Sequence, residues 1–544
     1  MNLELLKSIA QIQTFKMLNQ DKHPQKECAD VHLIRGFWAA FLCLSVVSCS
    51  FVPAMKEDGF SVPIHFKENQ AQIPAAESAN NSLPHQTVNA LNPLKPASAQ
   101  EENLQQGGIN PKLRALTSPA WWRELEDPAL NELQDKLLTS NVSVLQLSTQ
   151  VRVAQASLKQ AEASLFPSLN LNLSASRAAN QLSVPKGTSY SLSSPMSWEL
   201  DVWGRIDALT QVAASNALAT ELDLRQAKVS VQALLVQTYV TLLASRGQEN
   251  LLSSTVQVYE KSLALTQARY KAGVVSSADV AQASTQLKSA QAQWQDVVLQ
   301  RKQIEHALST LLGLAPSQLK MEELPSLVEI SSNSKKLNIK DFKVLPKVPV
   351  LPEVFVLDVL QFRPDIQAAK RRVEAANAQV GVARAAFFPP LVLSASAGYR
   401  NTDLASLLSA PNQAWSIGPS LVLPLLDGGL RQAAKEGAQA QLDNAVLNYR
   451  QVVLNAFQEI EDNLVALNQL ILIESYWLDA QQSALRNLEA VYAQYQAGVV
   501  PYLSVVSAQS AYLSAQRSLI DVGSRKLMAW NQLKKNTFVG IEPL

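Results

Sequence analysis

Two periodicities alternate along the chain. From about Ile206 to Tyr270 the sequence is rich in Ala, Leu, Gln and Ser, with no Pro and only Gly247, and a second run of the same kind extends from about Leu430 to Tyr495. If helical throughout, each would be roughly 95 Å long at 1.5 Å per residue, too long for a compact domain. Such helices belong in a coiled-coil-like array or a tube. The uncharged stretch 229–245 has the length of a membrane span, but Gln232, Gln237, Thr238 and Thr241 interrupt it and mark a buried packing face. Asp127-Pro128 and Arg363-Pro364-Asp365 suit helix starts, because Pro fits the first turn and Asp favours the positive end of the helix dipole.

Four other segments alternate with period two. Leu169, Leu171, Leu173 and Ala175 are separated by Asn170, Asn172 and Ser174, and Tyr190, Leu192, Met196, Trp198 and Leu200 fall between Ser191, Ser193, Ser197 and Glu199. Leu391, Leu393, Ala395 and Tyr399 form the third set, and Trp415, Ile417, Leu421 and Leu423 the fourth. The strands are expected at about 168–178, 189–201, 390–400 and 414–425, each near the ~9 to 11 residues that cross an outer membrane at a tilt. Aromatics near their ends (Tyr190, Trp198, Tyr399, Trp415) suit a bilayer interface. An antiparallel sheet half-buried on a soluble core is the other reading of the alternation. In lipid, four strands cannot close, and open edges are forbidden, so several copies must share one barrel. Two copies would give eight strands, which side chains fill; three give twelve and a water-filled lumen.

The two kinds of element recur as a tandem repeat. Ala268-Arg-Tyr270-Lys-Ala-Gly273-Val-Val is answered by Ala493-Gln-Tyr495-Gln-Ala-Gly498-Val-Val at an offset of 225 (493 less 268). Phe166-Pro167-Ser168-Leu169 is answered by Phe388-Pro389-Pro390-Leu391 at 222 (388 less 166), and Trp203-Gly204-Arg205 aligns with Asp427-Gly428-Gly429 at 224 (428 less 204). Three landmarks in one order at nearly one offset mean duplication of a whole unit.

The N-terminus reads as a targeting segment. Arg35 precedes an apolar run from Gly36 to Ser48 that is too short to span a bilayer and ends at Val46-Val47-Ser48-Cys49, which resembles a bacterial lipobox. Residues 1–48 are thus expected to be a lipoprotein signal peptide, with Met17 as an alternative start to Met1, and Cys49 to carry lipid. Ser50, in place of Asp, resembles the sorting pattern for the outer membrane. Residues 49–118 are polar and aperiodic and are expected to form an extended or partly disordered tether.

Composition removes most other chemistry. The chain has 544 residues, 47 Lys and Arg against 46 Asp and Glu, and 17% charged residues, so net charge drives no nucleic-acid binding. Its 18 Gly and 26 Pro are sparse punctuation and imply few, long elements. The three Cys lie at 28, 43 and 49, so the body has no disulfide framework and no Cys-based metal site. Of five His only His306 falls in the repeat region, and neither a P-loop nor a dinucleotide Gly fingerprint is present. No enzyme, metal or cofactor is expected.

The body, about Trp121 to Leu533, resembles the TolC-like outer membrane factors, in particular the lipoprotein branch serving resistance-nodulation-division efflux pumps. The resemblance rests on Trp121-Trp122-Arg123 with Asp127-Pro128 and Leu130, on Leu200-Asp201-Val202-Trp203-Gly204-Arg205, and on Arg363-Pro364-Asp365-Ile366 with Ala375-Ala376-Asn377-Ala378. Ala383-Arg384-Ala385-Ala386-Phe387-Phe388-Pro389, Leu426-Asp427-Gly428-Gly429 and the two Tyr-x-Ala-Gly turns complete it. It implies a mainly α fold with transmembrane β: a trimeric 12-stranded β-barrel continued by a 12-helix periplasmic α-barrel, each protomer a tandem structural repeat. The expected layout is repeat 1 at 119–315 with a tip near 271–278, an equatorial linker at 316–355, repeat 2 at 356–537 with a tip near 496–503, and a tail at 538–544. The implied partners are two further copies, a periplasmic membrane-fusion adaptor, an inner-membrane pump and outer-membrane lipid. The implied role is a passive exit duct in the outer membrane, with protein secretion or metal-ion export as alternatives to drug efflux. A lipid-tethered coiled-coil scaffold without a pore is the reading from another class.

In that family the tip closes the tunnel, with Asp side chains ringing the constriction and a Tyr and an Arg networking neighbouring hairpins. Here the corresponding positions are Tyr270, Gly273 and Asp279 in the first hairpin and Tyr495, Gly498, Leu503, Ser504 and Ser507 in the second. The two serines stand where Asp is usual, which points to an apolar, hydroxyl-lined constriction. Asp279 is either an acidic gate residue or the partner of Ser276 in a capping box.

Overall fold

The computed structural model describes residues 52–53, 120–178, 187–319, 345–349 and 362–537. The expected signal peptide at 1–48, the choice between Met1 and Met17, Cys49, almost all of the 49–118 tether, most of the 316–355 linker and the 538–544 tail lie outside the described residues. The chain divides into two units, Met1–Ser50 and Phe51–Leu544, and every described residue belongs to the second.

A 3-10 turn at Trp121–Leu125 leads into α1 (Pro128–Ser140), α2 (Val142–Ala163), β1 (Ser168–Leu169), β2 (Asn172–Ala178), β3 (Gly187–Leu200), α3 (Arg205–Lys271) and α4 (Ser277–Leu311). Beyond the linker follow α5 (Pro364–Ala385), β4 (Leu391–Asn401), β5 (Gln413–Leu421), α6 (Leu430–Gln496) and α7 (Tyr502–Asn536). The duplication is visible in the lengths: α2 and α5 have 22 residues each, α3 and α6 have 67, and α4 and α7 have 35. Both 67-residue helices start behind a left-handed glycine, Gly204 (φ 68°) and Gly429 (φ 93°), and run for about 100 Å. Helix α3 packs on α2, α4, α5 and α7, and α6 packs on α5 and α7.

Pro at the first position starts α1 and α5, as the sequence indicates, and the caps do more than start helices. Asp127 Oδ1 accepts from the Ala129 and Leu130 N–H groups at 2.9 and 3.3 Å, while its Oδ2 accepts from the Tyr239 hydroxyl on α3 at 2.7 Å. Arg363 is buried ahead of α5, donates to both Asp365 oxygens (3.0 and 2.6 Å) and reaches Glu459 on α6 at 3.2 Å. Each helix start is therefore also a tie between helices.

The sheet runs β1/β2–β3–β4–β5, antiparallel throughout. Its register places apolar residues beside apolar residues on one face: Leu173 beside Leu192 beside Tyr399, and Leu169 beside Met196 beside Ala395 beside Ile417. The opposite face carries Ser197 beside Ser394 beside Gly418, Ser174 beside Ser191, and Ser396 beside Ser416. Alternation along each strand thus becomes a sheet with one leucine-rich and aromatic face and one serine-lined face.

Two strand expectations are corrected. The segment expected as one strand at 168–178 is split into β1 and β2 opposite Pro195, which has no N–H to give the ladder; Asn170 N–H bonds to the Pro195 carbonyl (3.0 Å), and the Ser194 hydroxyl donates to Asn170 O (3.0 Å). The strand expected at about 414–425 ends at Leu421, since its partner β4 begins at Leu391 behind Pro389-Pro390, where no donors continue the ladder.

The core sits at the middle of the long helices. Trp121, Trp122, Leu125, Leu130, Leu133 and Leu137 pack against Val229 to Leu243 of α3, Leu308 of α4, Leu467 of α6 and Trp530 of α7, with Leu345 and Val348 of the linker on its margin. Helix α3 holds an 18-residue stretch with the hydropathy of a membrane span, and 56% of it is buried within the protein, the packing role expected from its composition. Buried polar bonds lock the register: Trp121 Nε1 donates to Asn531 Oδ1 (3.0 Å), Asn531 Nδ2 to the Ala233 carbonyl (2.8 Å), and Lys534 Nζ to Glu124 (2.8 Å). Replacing Asn531 with Ala removes both of its bonds at once and takes from the buried Trp121 Nε1–H this acceptor, while the Ala233 carbonyl keeps its bond within the helix. At about 1–3 kcal/mol for loss of a buried partner, this variant is expected to lower the urea or thermal midpoint of the purified protein clearly, whereas Lys136→Ala, which breaks an exposed pair with Glu132, is expected to leave it within error.

Candidate functional site

Each long helix ends in the same closure. At Gly273 (φ 75°) and Gly498 (φ 77°) the backbone turns left-handed. Gly273 N–H bonds to Tyr270 O and Val274 N–H to Arg269 O; Gly498 N–H bonds to Tyr495 O and Val499 N–H to Gln494 O. This pair of reverse bonds satisfies the last carbonyls of the helix. A Cβ at either glycine would meet nothing within 4 Å, so backbone conformation, not lack of space, calls for Gly there.

The helices leading back from these turns start differently. Ser276 caps α4: its N–H donates to Asp279 Oδ2 at 3.0 Å, its hydroxyl donates to the same oxygen at 2.9 Å, and Asp279 N–H donates to Ser276 Oγ at 3.3 Å. The capping role of Asp279 is therefore filled. In α7 the cap position is Pro501, which offers no side-chain acceptor, and Ser504 at the offset of Asp279 (504 less 279 is 225) bonds to the Pro501 carbonyl through its backbone N–H. Ser507 turns its hydroxyl back onto Leu503 O at 3.0 Å, and the Leu503 side chain is exposed. The first-turn carboxylate thus exists only in the first hairpin.

Between the two hairpins lies a small aromatic and hydroxyl cluster. Tyr495 is 5% exposed, lies 4.8 Å beneath the Arg269 guanidinium and has its ring 5.6 Å from that of Tyr502. Tyr502 shares a 3.0 Å hydrogen bond with Ser262 of α3, and Gln286 Nε2 on α4 donates to Tyr259 Oη (3.1 Å) and to Ser510 Oγ on α7 (3.2 Å). The structure thus brings Tyr495 together with Arg269 through the ring face, a pairing the sequence reading did not single out, and at Ser510, where the lipoprotein branch often has Arg, it places a hydroxyl that accepts from Gln286. The Tyr495 hydroxyl is buried and has no hydrogen-bond partner among the described residues. Tyr270, its counterpart in the first repeat, is 49% exposed. Single-residue motifs gave no signal for Ser262, Tyr259 and Gln286. The repeat alignment held one, because Gln286 and Ser510 stand 224 residues apart, close to the repeat offset.

Burial is the main cause that pushes the Tyr259 and Tyr502 hydroxyls above the ordinary tyrosine value. With the folded-state pKa above the unfolded one, the unfolded chain ionises first, so the contribution of these tyrosines is intact at neutral pH and falls as pH rises through about 10. Tyr502→Phe removes the Ser262 bond and is expected to cost about 1 kcal/mol and to speed hydrogen exchange at 256–266 and 499–512. Tyr495→Phe removes an orphaned hydroxyl and is expected to cost nothing. Exchange measured by mass spectrometry at pH 7 separates the two.

Against known proteins, the model of the outer membrane efflux protein family matches residues 133–314 and 356–537, one match for each repeat. The solvent efflux pump outer membrane protein SrpC of Pseudomonas putida is 31% identical over 443 residues, covering 79% of this chain and 89% of that protein. Among solved structures, the outer membrane protein VceC of Vibrio cholerae superposes with a TM-score of 0.69 at 26% identity, over 78% of this chain and all of that one (100%). The Campylobacter jejuni CmeC outer membrane channel shares the fold with a TM-score of 0.73 at 22% identity over 91% and 96% of the two chains. With two repeats, two-faced strands and paired glycine turns, this chain belongs to the outer membrane efflux protein family, the TolC-like channels.

Proposed function

We propose that three copies of the chain form the outer-membrane exit duct of a tripartite efflux system, anchored by lipid on Cys49 and passing small toxic molecules delivered by a resistance-nodulation-division pump through a periplasmic adaptor. The observation that carries this reading is the sheet. Its apolar face is continuous across β1/β2, β3, β4 and β5, its other face is lined by hydroxyls, and its outer strands carry exposed apolar side chains, Leu173 on β2 (72% exposed) at one edge and Trp415 on β5 (75% exposed) at the other. A sheet greasy on one side and wet on the other suits a wall between lipid and water. Its unpaired edges are intolerable in lipid until other copies pair with them. A poreless scaffold has no use for this sheet. The likeness to a solvent-efflux protein favours small-molecule export over protein secretion or metal-ion export.

In this reading the layout is two efflux repeats at 119–315 and 356–537, joined by an equatorial linker at 316–355 whose Leu345 and Val348 lie against the central core. The tips at 271–278 and 496–503 form the periplasmic aperture, lined by Leu503, Ser504, Ser507 and the three Asp279 carboxylates. Splaying the hairpins apart widens it, at the expense of the Tyr502–Ser262 and Gln286–Ser510 bonds. Mutual repulsion of the Asp279 carboxylates eases opening and favours cations.

Purified protein in planar bilayers is expected to show discrete cation-preferring channels and, on unboiled gels, a band that heating dissociates. Asp279→Ala is expected to reduce the cation preference, and Asp279→Glu to retain it. Absence of channels from intact oligomers would overturn the duct. An unchanged preference in Asp279→Ala would leave Asp279 only its capping role.

A further inference from the structure

A glycine in the interior of α5 has no local reason to be there, because only proline is less favourable within a helix. Gly381 is buried, four residues before the end of α5 at Ala385. A Cβ built on it would lie 3.0 Å from Val52 Cγ2, 3.2 Å from Val52 Cα and 3.3 Å from Val52 N, closer than side chains normally approach. One turn earlier, Asn377 is 5% exposed and its Nδ2 donates to the Pro53 carbonyl at 2.7 Å. Its Oδ1 is buried without a partner among the described residues, an acceptor suited to a peptide N–H. Val52 and Pro53 are themselves half-buried. Two residues of α5, one turn apart on one helix face, thus receive two consecutive residues of the N-terminal segment, one by absence of a side chain and one by an amide.

The duplication supplies an internal control. At the offset of 222 that relates α2 to α5 (364 less 142), Gly381 corresponds to Lys159 and Asn377 to Gln155, and both are exposed. The first repeat therefore lacks both features of the notch, and each protomer has one.

We propose that Asn377 and Gly381 form a docking notch for the segment directly after the lipid-accepting cysteine, with Val52 and Pro53 as its occupant. The first residues of the mature chain are then a strap fixed to the protomer's outer helices. Val52 lies three residues after Cys49 (52 less 49), so the strap sets where on the protomer the anchor departs. The notch does not depend on the chain being a pore.

The test uses the full-length protein carrying Val52→Cys, with maleimide labelling of the peptide containing residue 52 followed by mass spectrometry. Labelling is expected to be at least tenfold faster when Gly381→Leu is added and unchanged when Lys159→Leu is added. Asn377→Ala is expected to accelerate it severalfold and serves as the second probe should Gly381→Leu fail to assemble, as judged by the heat-dissociable band. Equal labelling rates in the parent and in whichever notch variants assemble would overturn the notch. A protected residue 52 in oligomers that conduct no current would sink the duct and leave the notch standing.

Discussion

The organising constraint is that a β-sheet in hydrocarbon must have no free edge. Each backbone N–H and C=O left unpaired in lipid costs several kcal/mol, and this chain presents a sheet whose outermost strands, β1/β2 and β5, are paired on one side only. The rest of the architecture is arranged around that incompleteness. Each strand pair is continued by a pair of long helices, so closing the sheet at one end also closes the helical wall at the other.

Gene-scale duplication makes such closure economical, because one type of contact can be used repeatedly. Within a single copy, the two repeats meet where Trp203 stacks on Phe388 (ring centroids 5.0 Å apart) and donates from Nε1 to the Pro389 carbonyl at 2.8 Å. The corresponding surface of the first repeat, around Phe166, is exposed in the isolated copy, as are Leu425 and Leu426 at the foot of β5. The repeats have nonetheless diverged where asymmetry has a use. The capping carboxylate is found only in the first hairpin, of the two turn tyrosines Tyr495 is buried and Tyr270 exposed, and the notch glycine is found in α5 and not in α2.

Much of this was legible in the chain. Long Ala- and Leu-rich runs free of proline identified α3 and α6 to within a residue or two, because nothing within them competes with helix. Alternation identified the strand faces, since side-chain period two survives any register. Strand ends were less legible: they depend on what the partner can offer, and Pro195 and Pro389-Pro390 act on strands to which they do not belong. At the tip, the glycine turns and the capping box could be read from spacing of a few residues. The Tyr502–Ser262 bond spans 240 residues and the Asn377–Pro53 bond 324, and no local pattern announces contacts at such separations.

The account stands on three copies completing one wall. Native mass spectrometry of the protein extracted in mild detergent tests this most directly. A dominant species of three times the mature protomer mass, lost on heating, is the expected result. A dominant monomer or dimer from membranes in which the protein is intact would contradict it.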